Sequence, residues 1–195
     1  RAAPASSCTH GFTYGGSDGT GSNTNVIDKF PFASQTPATD WADAVKAQFA
    51  GAGCSSDTYG YALGGTLLNG TTIKSIERYP FATQTNGTEV GEITVARHTA
   101  AGVSSLTHGY ACGGLFAPFN FSDIIDRVSF ASDATVSDHG DLIAILAHPS
   151  ASSSTTHGYV CGGTLVSVPG PGNSTISNVI QKFAYASNTT ATDVG

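Results

Sequence analysis

Three histidines, four cysteines and a set of acid–base pairs are the side chains with which this chain could do chemistry. His10, His108 and His157 share one sequence context, Thr-His-Gly-aromatic, and Tyr59 takes the same place in a fourth copy. Three imidazoles gathered around one point could hold zinc, provided each nitrogen came within about 2 Å of the ion. The pairs Asp28-Lys29, Glu77-Arg78 and Asp126-Arg127, with Gln181-Lys182 as their counterpart, put a carboxylate beside a cation. On a strand, adjacent side chains point to opposite faces, so such a pair is no preassembled acid–base dyad, and cross-strand ion pairs are the simpler expectation. His98, His139 and His148 are isolated and receive no role. No nucleophile elbow, phosphate loop or metalloprotease motif occurs, and the run Gly15-Gly16-Ser17-Asp18-Gly19 leads into no helix. The expectation is a chain with no catalytic residue, no metal and no cofactor.

The elements that position these residues are set by a repeat. Thr9-His10-Gly11-Phe12, Thr58-Tyr59-Gly60-Tyr61, Thr107-His108-Gly109-Tyr110 and Thr156-His157-Gly158-Tyr159 recur every 49 residues. Each is followed by a glycine pair: Gly15-Gly16, Gly64-Gly65, Gly113-Gly114 and Gly162-Gly163. A second block then reads VIDKFPFAS from Val26, SIERYPFAT from Ser75, IIDRVSFAS from Ile124 and VIQKFAYAS from Val179, arriving six residues late in the fourth copy. A third block reads DAVKA from Asp43, EITVA from Glu92 and DLIAI from Asp141. A period of this length signals stacked supersecondary units that bury their faces only against one another. Each unit divides into four short strands: a small-residue strand a (Ala100 to Ser104 in the third copy), strand b on the His-Gly-Tyr segment, strand c on the second block and strand d on the third. The glycine pair is expected to end strand b. Residues 1–195 then form one all-β domain of four units, 1–49, 50–98, 99–147 and 148–195, with the outer strand of the last one missing.

The glycine doublet, the aromatic-bearing strand c, Trp41 before strand d and Ala96-Arg97 after it resemble a kelch-type β-propeller blade. The resemblance covers all four copies and implies a propeller of four blades, each a four-stranded antiparallel sheet. It leaves open whether four blades close a ring or form part of an array. A looser similarity is to tandem-repeat surface and fibre proteins of aquatic microbes and their viruses.

Composition narrows the class further. Charged residues make up 11%, and the formal net charge is −6 with eight Lys and Arg, which argues against nucleic acid as a partner. No apolar run is long enough to insert into a bilayer as a helix. The chain starts at Arg1 and contains no methionine, which is read as a processed N-terminus after a removed leader. Low charge, abundant hydroxyl residues and Asn-X-Ser/Thr sequons at Asn69, Asn86, Asn120, Asn173 and Asn188 point to an extracellular or cell-surface glycoprotein.

Cys112 and Cys161 replace Tyr14 and Leu63 at one repeat position and are read as packing residues. Cys8 and Cys54 flank strand a in adjacent copies near the axis and form the favoured disulfide, although four cysteines allow three pairings. The loops between strands b and c gather Leu67, Leu68, Leu115, Phe116, Phe119, Phe121, Val166 and Val168, an apolar set expected to form an interaction surface. With an open sheet edge on the fourth copy, these features predict a structural subunit that assembles with copies of itself into a fibre or surface layer. The alternative is a glycan-binding propeller using the b–c loops with Trp41, Tyr59 and the loop phenylalanines. An enzyme is a distant third.

Overall fold

The computed structural model describes residues 2–17, 20–116, 120–132, 136–166 and 174–195, with Val166 and Ser174 defined by their backbone alone. Four antiparallel sheets follow one another along the chain, one per repeat, as the blades of a four-bladed β-propeller. Blade 1 pairs β1 (Ala3–Ser6), β2 (His10–Ser17), β3 (Asn23–Pro31) and β4 (Thr39–Asp43) in that order. In blade 2, β5 (Gln48–Phe49) and β6 (Ala52–Ser55) both pair with β7 (Tyr59–Leu67), followed by β8 (Thr72–Pro80) and β9 (Thr88–Glu92). Blade 3 comprises β10 (Ala101–Ser104), β11 (His108–Phe116), β12 (Asn120–Ser129) and β13 (Val136–Ala147). Blade 4 comprises β14 (Ser150–Ser153), β15 (His157–Cys161), β18 (Ile180–Ala184) and β19 (Thr192–Asp193), and its b–c hairpin, β16 (Thr164–Val166) and β17 (Ser174–Ile176), pairs with the end of β13.

The innermost strands β1, β6, β10 and β14 border one axial cleft of about 290 Å³, lined at one repeat position by Pro4, Gly53, Gly102 and Ala151. The missing side chains at Gly53 and Gly102 let these strands touch. A β-carbon on Gly102 would lie 1.8 Å from the Gly53 carbonyl oxygen, and one on Gly53 would lie 2.0 Å from that of Pro4.

Two expected strand boundaries change. The glycine pair does not end strand b in the first three blades. It makes a bulge, with register shifts between Tyr14 and Gly16, Leu63 and Gly65, and Cys112 and Gly114. Both glycines hold positive φ, and Gly65 donates its N–H to the Arg97 carbonyl at 3.0 Å, tying blade 2 to the chain entering blade 3. Strand d lies earlier than the third block in blades 1 and 2, on Thr39–Asp43 and Thr88–Glu92. Beyond Asp43 and Glu92 the chain bends toward the next blade to bury Ala44 and Ile93, so the apolar content of that block reflects packing between blades. Each bend enters the next blade through a left-handed residue at one repeat position: Ala50 (φ 59°), Thr99 (φ 55°) and His148 (φ 58°). The outer strand of blade 4 is present in its first two residues, with Thr192 and Asp193 pairing Lys182 and Gln181 as Thr39 and Asp40 pair Lys29 and Asp28.

Candidate interaction surface

The contact between successive blades is built the same way three times. Strands b and c of one blade present Phe12, Tyr14 and Ile27, or Tyr61, Leu63 and Ile76, or Tyr110, Cys112 and Ile125. The next blade answers with Ala62, Tyr79 and Phe81, then Ala111, Val128 and Phe130, then Val160, Phe183 and Tyr185. At the centre one aromatic pair recurs. Phe12 stacks on Phe81 with centroids 4.7 Å apart, Tyr61 on Phe130 at 5.0 Å and Tyr110 on Tyr185 at 5.0 Å. Offset stacks of this kind add about 0.5–1.5 kcal/mol to the burial they accompany.

A polar cap crosses each interface beside the stack. The strand-c residue of the later blade accepts a backbone N–H from the bend of the earlier one: Glu77 from Val45 at 2.7 Å, Asp126 from Thr94 at 3.1 Å, and Gln181 from Ile143 at 2.7 Å. The three acceptors are buried, and each is neutralised differently. Asp126 forms an ion pair with the fully buried Arg97, 2.9 Å away, while the same guanidinium donates to the Ala111 carbonyl at 2.8 Å. Gln181 needs no counterion, and Leu146 takes the place of Arg97. Glu77 accepts the Tyr14 hydroxyl, and burial raises its pKa above the ordinary carboxylate value, chiefly because the charged form is desolvated. A carboxyl group whose folded pKa is raised contributes stability that is complete below its unfolded pKa, near ~4.3, and lost as pH rises through the folded value. The variant Glu77→Gln, which copies blade 4, should therefore gain on the parent as pH rises from about 4 toward neutrality and above. Melting temperatures of both proteins across that range check this, and a constant difference would refute it.

The chemistry-bearing residues do not converge. His10, His108 and His157 sit at the start of strand b in three different blades, where each Nδ1 lies 2.8 Å from the hydroxyl of the preceding threonine. The bond is local to the a–b turn and does not cross between blades. Among the described residues no group of three His, Cys, Asp or Glu could hold a metal ion. The acid–base pairs are split between faces as expected, but among the described residues Asp126 pairs with Arg97 of the bend and not with a cation on a neighbouring strand. Glu77 and Asp126 turn inward to the caps, and Lys29 lies 3.6 Å over the Trp41 ring and Arg78 4.3 Å over the Tyr59 ring.

All four cysteines are free thiols, so the Cys8–Cys54 bridge is not formed. The reason is direction. Cys54 points forward against blade 3, where a β-carbon on Gly109 would lie 2.3 Å from its sulfur, whereas Cys8 sits exposed on the turn of blade 1 behind it. Burial raises the Cys54 thiol pKa and pushes that of Cys112 up to about 12, which keeps both protonated and non-nucleophilic at neutral pH.

Of the sequons, Asn69, Asn86, Asn120 and Asn188 are exposed, and Asn173 lies outside the described residues. Asn69 and Asn86 use their carbonyl oxygens, accepting from the Thr71 and Asp43 amides. Of the b–c loop set, Leu68 is 62% exposed, while Leu67, Leu115, Phe116 and Phe121 are half-buried. Phe119 and Val168 lie outside the described residues, as does the Val166 side chain.

Further exposed apolar side chains lie elsewhere in blades 3 and 4: Ile143 and Ile145 on β13, Ile176 on β17, Ile180 on β18 and Val194 just after β19. Ile143 and Ile145 alternate with the buried Leu142 and Leu146 along β13. At the matching positions the other copies carry Val45 and Ala47, and Thr94 and Ala96, so the third copy is the apolar exception.

Among solved structures, that titled "Structure of YjhT" matches with a TM-score of 0.76 over 93% of this chain and 68% of that one, at 13% sequence identity. The fold they share is a β-propeller. At this identity the likeness extends to architecture alone. No protein-family model matches the sequence, and no curated protein matches it.

Proposed function

We propose that the chain is a non-enzymatic structural protein of the extracellular space, a subunit of a fibre or surface assembly built through contacts between subunits. The observation that carries this reading is the set of exposed apolar side chains Ile143, Ile145, Ile176, Ile180 and Val194 on β13, β17, β18 and the residues after β19. The exposed sequons at Asn69, Asn86, Asn120 and Asn188 fit a glycosylated surface.

The glycan-binding alternative has less support. It needs open aromatic platforms, and the rings of Trp41 and Tyr59 are covered by Lys29 and Arg78. Electron microscopy and sedimentation of the purified chain over a concentration series decide the matter. Filaments or ordered oligomers are expected, and a protein that stays monomeric at the highest concentration rules the structural reading out.

A further inference from the structure

The interface between blades 1 and 2 buries an acid that forms no ion pair among the described residues. One repeat later the Asp126 carboxylate meets the Arg97 guanidinium at 2.9 Å, and Arg97 also donates to the Ala111 carbonyl at 2.8 Å. In blade 2 the same three positions hold Glu77, Gln48 and Ala62. Glutamine is two bonds shorter than arginine and carries no charge. The carboxamide carbon of Gln48 lies 3.5 Å from where a β-carbon of Gly65 would stand, so its head rests against the bulge of strand b.

Several polar atoms are consequently left over. Glu77 Oε2 accepts the Val45 N–H at 2.7 Å and the Tyr14 hydroxyl, but its Oε1 is buried with no hydrogen-bond partner. Both head atoms of Gln48, Oε1 and Nε2, are in the same condition. So is Ser75 Oγ, two residues before Glu77 on β8, where strand alternation puts the two on one face. The other copies carry Val26, Ile124 and Val179 at the position of Ser75, so blade 2 alone adds a hydroxyl there. Glu77 is 0% exposed, Gln48 1% and Ser75 3%. The charge of Lys46, which reaches Glu77 through space, is offset by Glu89, bound to it at 2.5 Å.

We propose that the interface between blades 1 and 2 binds a small monovalent cation of the sodium, potassium or ammonium class, held by Glu77 Oε1, Gln48 Oε1 and Ser75 Oγ. All three are hard oxygen donors, and one carboxylate matches one positive charge. Water in the same place would satisfy the hydrogen bonds but leave the carboxylate charge uncompensated in a buried site. The guest does for Glu77 what the Arg97 side chain does for Asp126. The three copies thus solve one problem in three ways: a bound cation, a built-in cation, and a neutral amide at Gln181.

Thermal melting of the full chain in mildly alkaline tetramethylammonium buffer, titrated with sodium, potassium or ammonium chloride at constant ionic strength, tests the site. Tetramethylammonium is too bulky to enter. At least one of the three cations should raise Tm by about 5–10 °C at about 100 times its dissociation constant. Glu77→Gln, which copies the residue found in blade 4, should abolish the response. Gln48→Arg writes the pair of the next interface into this one, so it should melt above the parent in tetramethylammonium and also lose the response. A Tm that follows ionic strength alone overturns the proposal, because the leftover atoms then hold water only. An equal response in the parent and Glu77→Gln, or in the parent and a folded Gln48→Arg, places the cation elsewhere and overturns it as well. Should Gln48→Arg fail to fold, Glu77→Gln decides.

Discussion

Replacing Arg97 with leucine should destabilise the protein by about 3–5 kcal/mol, because it strands the carboxylate of Asp126 in the interface between blades 2 and 3 without its counterion. For a chain of this size that corresponds to a fall of about 10 °C in Tm. The protein itself supplies the rescue. One repeat later the same two positions are occupied by Leu146 and Gln181, and Gln181 still accepts the bend amide, from Ile143 at 2.7 Å. In the double variant Arg97→Leu/Asp126→Gln the new side-chain amide should accept from Thr94 in the same way, and stability should return to within about 1 kcal/mol of the parent. Thermal or urea unfolding of the four proteins in the cycle measures the coupling, which should exceed about 2 kcal/mol. If Arg97→Leu costs the same in the parent as in the Asp126→Gln background, the pair is not coupled and the account of the buried charge fails.

The second large effect should come from a single methyl group near the axis. Gly102→Ala would place a β-carbon 1.8 Å from the Gly53 carbonyl oxygen. Both partners are backbone, so neither can swing aside as a side chain does. The innermost strands of blades 2 and 3 must separate instead, and the stack of Tyr61 on Phe130 opens with them. A cost of about 3 kcal/mol is expected, at the upper end of overpacking effects. Ala151 is the natural control, since the same position in blade 4 carries the methyl group already. Ala151→Gly should change stability by less than about 1 kcal/mol. Equal melting temperatures for Gly102→Ala and the parent would show that the strands are not held as closely as described.

The period, the number of blades and strands a to c are legible because each copy states the same pattern again, and a bulge or a turn that recurs every 49 residues is hard to mistake. Strand d reads too late in blades 1 and 2 because the apolar residues after Asp43 and Glu92 alternate plausibly for a strand, yet Ala44 and Ile93 are apolar in order to fill the gap to the next blade. Clustered phenylalanines draw attention to the b–c loops as the interaction surface, and half of that surface turns back onto the blades. The exposed Ile143 and Ile145 escape a reading of the sequence although they depart from the repeat. Arg97 reads as part of a blade motif. Its partner becomes visible only when two columns of the repeat are read together, Gln48, Arg97 and Leu146 against Glu77, Asp126 and Gln181, where the third copy alone sets a cation against an acid and the fourth drops both charges.

The three cores have a mechanical consequence. Each core joins one pair of successive blades, so the blades behave as plates bolted in a row, each bolt separate from the next. Damage at Tyr61 parts the row between blades 2 and 3, and the pairs on either side keep their own bolts but lose each other.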